Sequence, residues 1–178
     1  MLQEAASTEQ MRPDVEAWLK SLGVGRTEAT ATPFSSWHLT FTWPVGSPHR
    51  MWVLSPIAHP HAIMVGTNTA FLAEHKQTFA EMENSEKIDF MLDLHTALNR
   101  DGIDYAFAPT PLPMYVAPDM FQVATTRFGD FSLQRLYEML HRAWKAEFAG
   151  LLVVQRRLNP TNPPTGGDIT WKAPPSLQ

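Results

Sequence analysis

Three histidines offer the first chemistry in this chain. His59 and His61 flank Pro60 in SPIAHPHAIMVG, and His49 stands ten residues before His59. Histidines at i and i+2 on a strand point to one face and can chelate a metal, provided that a third histidine or a carboxylate completes the shell. The cupin arrangement follows its H-x-H with a glutamate four to five residues later. That window here holds Val65 and Gly66. Pro60 also removes a backbone donor and favours a turn or strand edge. The reading is therefore two turn histidines, with no metal held jointly by His59 and His61. An alternative is a ligand cleft near His49, His59 and His61.

Other chemistry-bearing residues read in the same way. His95 lies on an apolar helical stripe with Ile88, Met91, Leu92 and Leu98, where a core histidine bonding a backbone carbonyl is expected. Asp89 and Asp93 are spaced i,i+4, as on a solvated helix edge. Arg156 and Arg157, with Arg142 and Lys145, form a helix face without the aromatic interleaving of a nucleic-acid surface. No G-x-S-x-G, G-x-G-x-x-G, phosphate loop or H-E-x-x-H occurs. The sequence offers no catalytic residue and implies no cofactor, and the reading leans away from an enzyme.

Composition narrows the classes further. The 178 residues are 44% hydrophobic and 18% charged, the balance of a globular chain with one sizeable core. A net charge of -4 gives no field that would gather nucleic acid or an anionic membrane. The absence of cysteine removes disulfides, thiolate metal sites and thiol nucleophiles. MLQEAASTEQMRPD lacks the apolar run of a leader, and FAGLLVV is too short to span a bilayer. A cytoplasmic protein is the expectation.

These residues need elements to position them. RPDVEAWLKSLGVG predicts a first helix, with Pro13 in its first turn, a face of Val15, Trp18, Leu19 and Leu22, and Gly23 as its stop. SSWHLTFTW alternates Trp37, Leu39, Phe41 and Trp43 with polar residues, and RMWVLSPI and AIMVGTN continue an antiparallel meander. Residues 70–102 read as helical, with Asn84 or Ser85 capping a second segment that ends at Gly102. Ile103, Tyr105 and Phe107 alternate as a strand, and MYVAPDMFQVATTRF suggests an extended pair around Pro118 and Asp119. Ser132 then caps the longest helix, with Phe131 and Leu136 as its staple.

That helix places Leu133, Leu136, Tyr137, Leu140, Ala143, Trp144, Phe148, Leu151 and Leu152 on one stripe. The expected architecture is α+β: an N-terminal helix, a mostly antiparallel sheet of about five strands, a central helix and a long C-terminal helix. Residues 13–158 read as a single domain between a flexible 1–12 and a Pro-rich tail, 159–178, anchored by Trp171. The six tryptophans and ten phenylalanines are more apolar area than a small core consumes, which points to a self-association surface. Trp144, Phe148, Leu152 and Trp171 are the candidate contacts.

Three stretches, VEAWLKSLGV, the meander WHLTFTW with RMWVLSPI, and FSLQRLYEMLHRAWKAEFAGLLVV, carry a resemblance across roughly residues 13–158. In element order and hydrophobic texture the chain resembles the YbjN-like and class I type III secretion chaperone-like proteins. The resemblance implies an α+β fold, frequent dimerisation and protein binding, and it supplies no catalytic residue. The functional expectation is thus a non-enzymatic, chaperone-like module that binds a protein partner or a second copy of itself. The alternative is a small-molecule binder or enzyme with an aromatic-rich cleft.

Overall fold

A computed structural model describes residues 11–99, 103–109 and 115–159. Helix α1 spans Arg12–Ser21 and buries Val15 and Leu19. Its end is closed by two backbone bonds, Val24 N–H to the Leu19 carbonyl and Gly23 N–H to that of Lys20, both 3.0 Å. This closure needs a left-handed residue, and Gly23 supplies it with φ +86°. The strands that follow are β1 (Glu28–Ala29), β2 (Ser35–Thr42), β3 (Arg50–Pro56) and β4 (Ala62–Ala70). Helices α2 (Ala73–Glu81) and α3 (Asn84–Leu98) lead to β5 (Asp104–Ala108) and β6 (Met120–Phe128), and α4 (Leu133–Leu158) closes the described chain.

The α+β expectation holds, with one strand more than anticipated. The antiparallel sheet has six strands in the order β1-β2-β3-β4-β6-β5. The added strand is β1, two residues long, which pairs Glu28 with Thr40 and Ala29 with Leu39. Both of its side chains are exposed, so it leaves no alternation to read. MYVAPDMFQVATTRF forms a single strand, β6, with Tyr115–Asp119 outside it.

The chain divides into two compact units, Met1–Thr67 with Ala124–Ala143, and Asn68–Val123 with Trp144–Gln178. In the first, the register Leu39↔Val53↔Val65 and Phe41↔Met51 sets one apolar face of the meander. His38↔Leu54↔Met64 and Thr40↔Trp52 set the other, where Trp52, Leu54 and Ala124 pack with Met64. The alternation read in β2 is borne out, since Trp37, Leu39 and Phe41 are all buried.

The second unit is organised by phenylalanines. Phe90 is fully buried and meets Phe79 and Phe71 edge-on, with ring centroids 5.6 and 6.4 Å away, while Phe71 also meets Phe121 at 6.1 Å. The buried face of α3 is Phe90, Met91, Leu94, Ala97 and Leu98. Leu92, placed on the stripe by sequence, is 58% exposed. The second helical segment read from sequence is set off from the first where Met82 and Glu83 are both extended, with ψ 150° and 158°. The cap of α3 is Glu83, one residue before the expected Asn84, and its N–H is bonded by the Glu86 carboxylate at 2.9 Å. The helix ends at Leu98, and Gly102 lies outside the described residues.

Within the same unit, Gly150 lets α4 pass close to its neighbours. A Cβ there would sit 2.8 Å from Leu98 Cδ2 and 3.1 Å from the Phe121 ring. At the start of α4, Ser132 Oγ accepts from Arg135 N–H at 3.3 Å, the cap expected from sequence. Ser132→Ala is expected to lower stability by about 1 kcal/mol, measurable as a shift in the urea midpoint at constant slope.

Candidate functional site

The expected histidine group is divided by β3. His49 immediately precedes this strand, and His59 follows its end. Seven strand residues at about 3.3 Å each put roughly 23 Å between the two turns. His49 is part of the β2–β3 turn, where its carbonyl accepts from Trp43 N–H at 3.0 Å and its N–H meets Ser47 Oγ at 3.2 Å. The structure therefore does not bring His49 to His59 and His61. Among the described residues, no group of three or more His, Cys, Asp or Glu is placed to hold a metal ion.

His59 and His61 instead lie beside an apolar patch in the first unit. Phe34 and Ile57 are joined through the Ile57 N–H to Phe34 carbonyl bond of 2.9 Å. The His59 ring meets Phe128 at 5.8 Å, and Gly129 N–H donates to the His61 carbonyl at 3.1 Å. Phe34, Ile57 and Phe128 are 63%, 58% and 62% exposed. Sequence reading missed this patch because its three members come from three separate strand ends. Next to Phe128 in the chain, Arg127 pairs with Asp130 at 3.3 Å.

The candidate contacts on α4 form a shorter face in the second unit. Trp144 and Phe148 stack with ring centroids 5.9 Å apart, and Leu152 follows one turn later, 37% exposed. Trp171 lies outside the described residues, as does the rest of the tail after Asn159. The apolar stripe read along α4 in fact divides. Leu136, Leu140, Ala143, Ala146, Leu151, Val154 and Leu158 are buried, while Leu133, Tyr137 and Leu152 reach solvent.

A half-open cleft of about 140 Å³ also lies in the second unit, and no sequence signal marked it. Phe71, Phe121, Leu151 and Val154 form its apolar walls. His75, at the third position of α2, is buried, and its Nδ1 accepts from the Leu72 N–H at 3.4 Å. The Asn159 amide lies 2.9 Å from Nε2. The contacting atom is the Asn159 amide nitrogen, Nδ2, and which ring nitrogen accepts follows the imidazole tautomer. Beside the ring, Thr69 Oγ–H donates to the buried Glu147 carboxylate at 2.8 Å. Gln155 Oε1 is buried in the lining and has no hydrogen-bond partner.

His95 differs from its expected role as well. Its Nδ1 meets the Tyr105 hydroxyl at 2.9 Å rather than a backbone carbonyl, and its ring packs on Phe107 at 5.1 Å. Asp93, read as a solvated edge, forms an ion pair with Arg157.

Burial holds two histidines below their usual pKa of 6.5, His38 by desolvation alone and His75 by desolvation partly offset by Glu74. Unfolding raises each pKa, so the unfolded chain takes up more protons in the window below 6.5. Stability is therefore expected to be full above that value and to fall as pH drops through it. Thermal unfolding between pH 8 and pH 5 checks this, and a His38→Phe/His75→Phe double variant should show a flatter profile.

No helix among the described residues is long and apolar enough to cross a membrane. A crystal structure of an uncharacterized protein from Methanothermobacter thermautotrophicus superposes with a TM-score of 0.72 at 19% identity, covering 83% of this chain and 98% of that one. That likeness is one of fold. No curated protein matches the chain. The family model for an uncharacterized conserved protein, DUF2299, matches residues 11–154, from the start of α1 well into α4, and the chain belongs to this family.

Proposed function

We propose that the protein is a non-enzymatic protein-binding module that acts as a homodimer. The observation that carries the reading is the Phe34, Ile57 and Phe128 patch, three large apolar side chains gathered at one end of the first unit and each more than half exposed. Large apolar side chains brought near one another and left in water are costly and support reading this end as a contact surface. The occupant is a second copy. A two-fold contact places the same patch on both partners, and the Arg127–Asp130 pair next to Phe128 in the chain sets cation against carboxylate when repeated about the axis. The half-buried Trp144–Phe148 stack with Leu152 is a second apolar face, suited to a client helix. The resemblance to YbjN-like and class I type III secretion chaperone-like proteins supports the same reading.

Site-specific photocrosslinking tests the contact. With p-benzoylphenylalanine replacing Phe34, irradiation is expected to give a covalent dimer whose crosslinked peptides contain Ile57 or Phe128 of the other copy. Mixing isotopically light and heavy chains identifies such links as intermolecular. Crosslinks confined to single chains would overturn the proposal.

A further inference from the structure

We infer that the cleft beside His75 is the docking site of the chain's own C-terminal tail, with the carboxamide of Asn162 paired to that of Gln155. Only the polar side of the cleft is open. Phe71, Phe121, Leu151 and Val154 have almost no surface left to offer, whereas Ala70, Leu72, Gln155 and Asn159 are partly exposed and Glu74 is exposed. About 140 Å³ takes one side chain of modest size. Gln155 sets its chemistry, because its Oε1 is buried without a partner, a state that costs free energy unless a donor arrives. The same amide carries N–H donors, so its complement is a planar group that donates and accepts together, a second carboxamide.

The chain carries such a group three residues beyond the cleft wall. Asn159 lines the cleft and closes the last turn of α4, its N–H bonded to the Gln155 carbonyl at 3.0 Å. Pro160 follows and cannot donate the next helical hydrogen bond. Gln155 stands one turn back, about 6 Å along the helix axis. Asn162 is three residues on, a reach of up to about 10 Å, and belongs to the same compact unit as the cleft. The stretch PTNPPTGG after Asn159 has no charge to oppose Glu74, and Pro160, Pro163 and Pro164 reduce the entropy that docking removes. Thr161, the other early donor, lacks the paired donor and acceptor of an amide. A segment tethered this closely reaches an effective concentration of millimolar order, so it meets the cleft ahead of a dilute free ligand.

A double-mutant cycle in the full chain tests the pairing through thermal unfolding. Asn162→Ala strands Gln155 Oε1 and is expected to lower the melting temperature by about 3 °C, the scale of one hydrogen bond in a chain of this length. In a Gln155→Leu background the same change should have no effect, and Thr161→Val should have none in either background. A second readout needs no Gln155 variant: in nitrogen-15 NMR spectra, Asn162→Ala should shift the Gln155 side-chain amide, and Thr161→Val should leave it in place. A melting temperature that Asn162→Ala leaves unchanged, or lowers equally in both backgrounds, would overturn the inference. So would a Gln155 amide signal indifferent to Asn162→Ala. A coupling that fades on dilution would assign the cleft to the tail of a second copy and would overturn it as well.

Discussion

An Ile57→Asp/Phe128→Asp double variant is expected to be monomeric at concentrations where the parent is a dimer. Both side chains are more than half exposed in the single chain, so replacing them costs the fold little, within about 0.5 kcal/mol each. At a two-fold contact the same changes occur twice. They exchange apolar burial for carboxylates that must lose water, and each anchor lost at the centre of an interface costs about 2 kcal/mol. Two anchors on each copy, four in all, give about 8 kcal/mol, close to a million-fold in Kd. Light scattering of the parent and the double variant across a dilution series reads the difference. An unchanged dimer in a variant that melts with the parent would place the contact elsewhere.

The second large effect belongs to Phe90. Its ring is fully buried between Phe79 and Phe71 and continues through Phe71 to Phe121, so truncation leaves a cavity walled by rigid aromatics that cannot collapse into it. Phe90→Ala is expected to cost about 4 kcal/mol and to lower the melting temperature by roughly 10 °C. A domain whose total stability is about 5–15 kcal/mol feels such a loss as near-unfolding at 37 °C. Leu92→Ala, two residues away on the same helix but 58% exposed, should cost well under 1 kcal/mol. Urea unfolding of both variants checks the contrast, and equal losses would contradict the burial assigned to α3.

The sheet was legible where one face is buried and the other is not. In β2 the polar positions His38, Thr40 and Thr42 alternate with Trp37, Leu39 and Phe41, a pattern only a half-buried strand requires. In α3 the pattern was ambiguous, since seven apolar positions surround the axis and periodicity could not choose between Leu92 and Leu94. The Met82–Glu83 break carried no proline or glycine, and the capping signal at Asn84 and Ser85 marked it to within one or two residues of the observed cap, Glu83. Along α4, one continuous stripe could be drawn through residues that the fold distributes over a buried and a partly exposed face.

The candidate sites were less legible, for reasons of distance along the chain. His59 could be assigned to a turn from Pro60 alone, but Phe128, whose ring it meets, is on a different strand. His75 and Asn159 belong to α2 and to the end of α4 and are joined only by tertiary packing. Gln155 looks like any polar helix residue until its oxygen is found buried. Motifs report chemistry whose parts are close in sequence, and neither the patch nor the cleft is built that way.

Sedimentation equilibrium of the full-length protein, from about 1 to 200 μM at moderate ionic strength, tests the homodimer most directly. The account predicts a reversible monomer–dimer equilibrium with a Kd in the micromolar range or below, weakened by high salt only to the extent that the Arg127–Asp130 pair contributes. A single species of monomer mass, 20.1 kDa, at every concentration would contradict it.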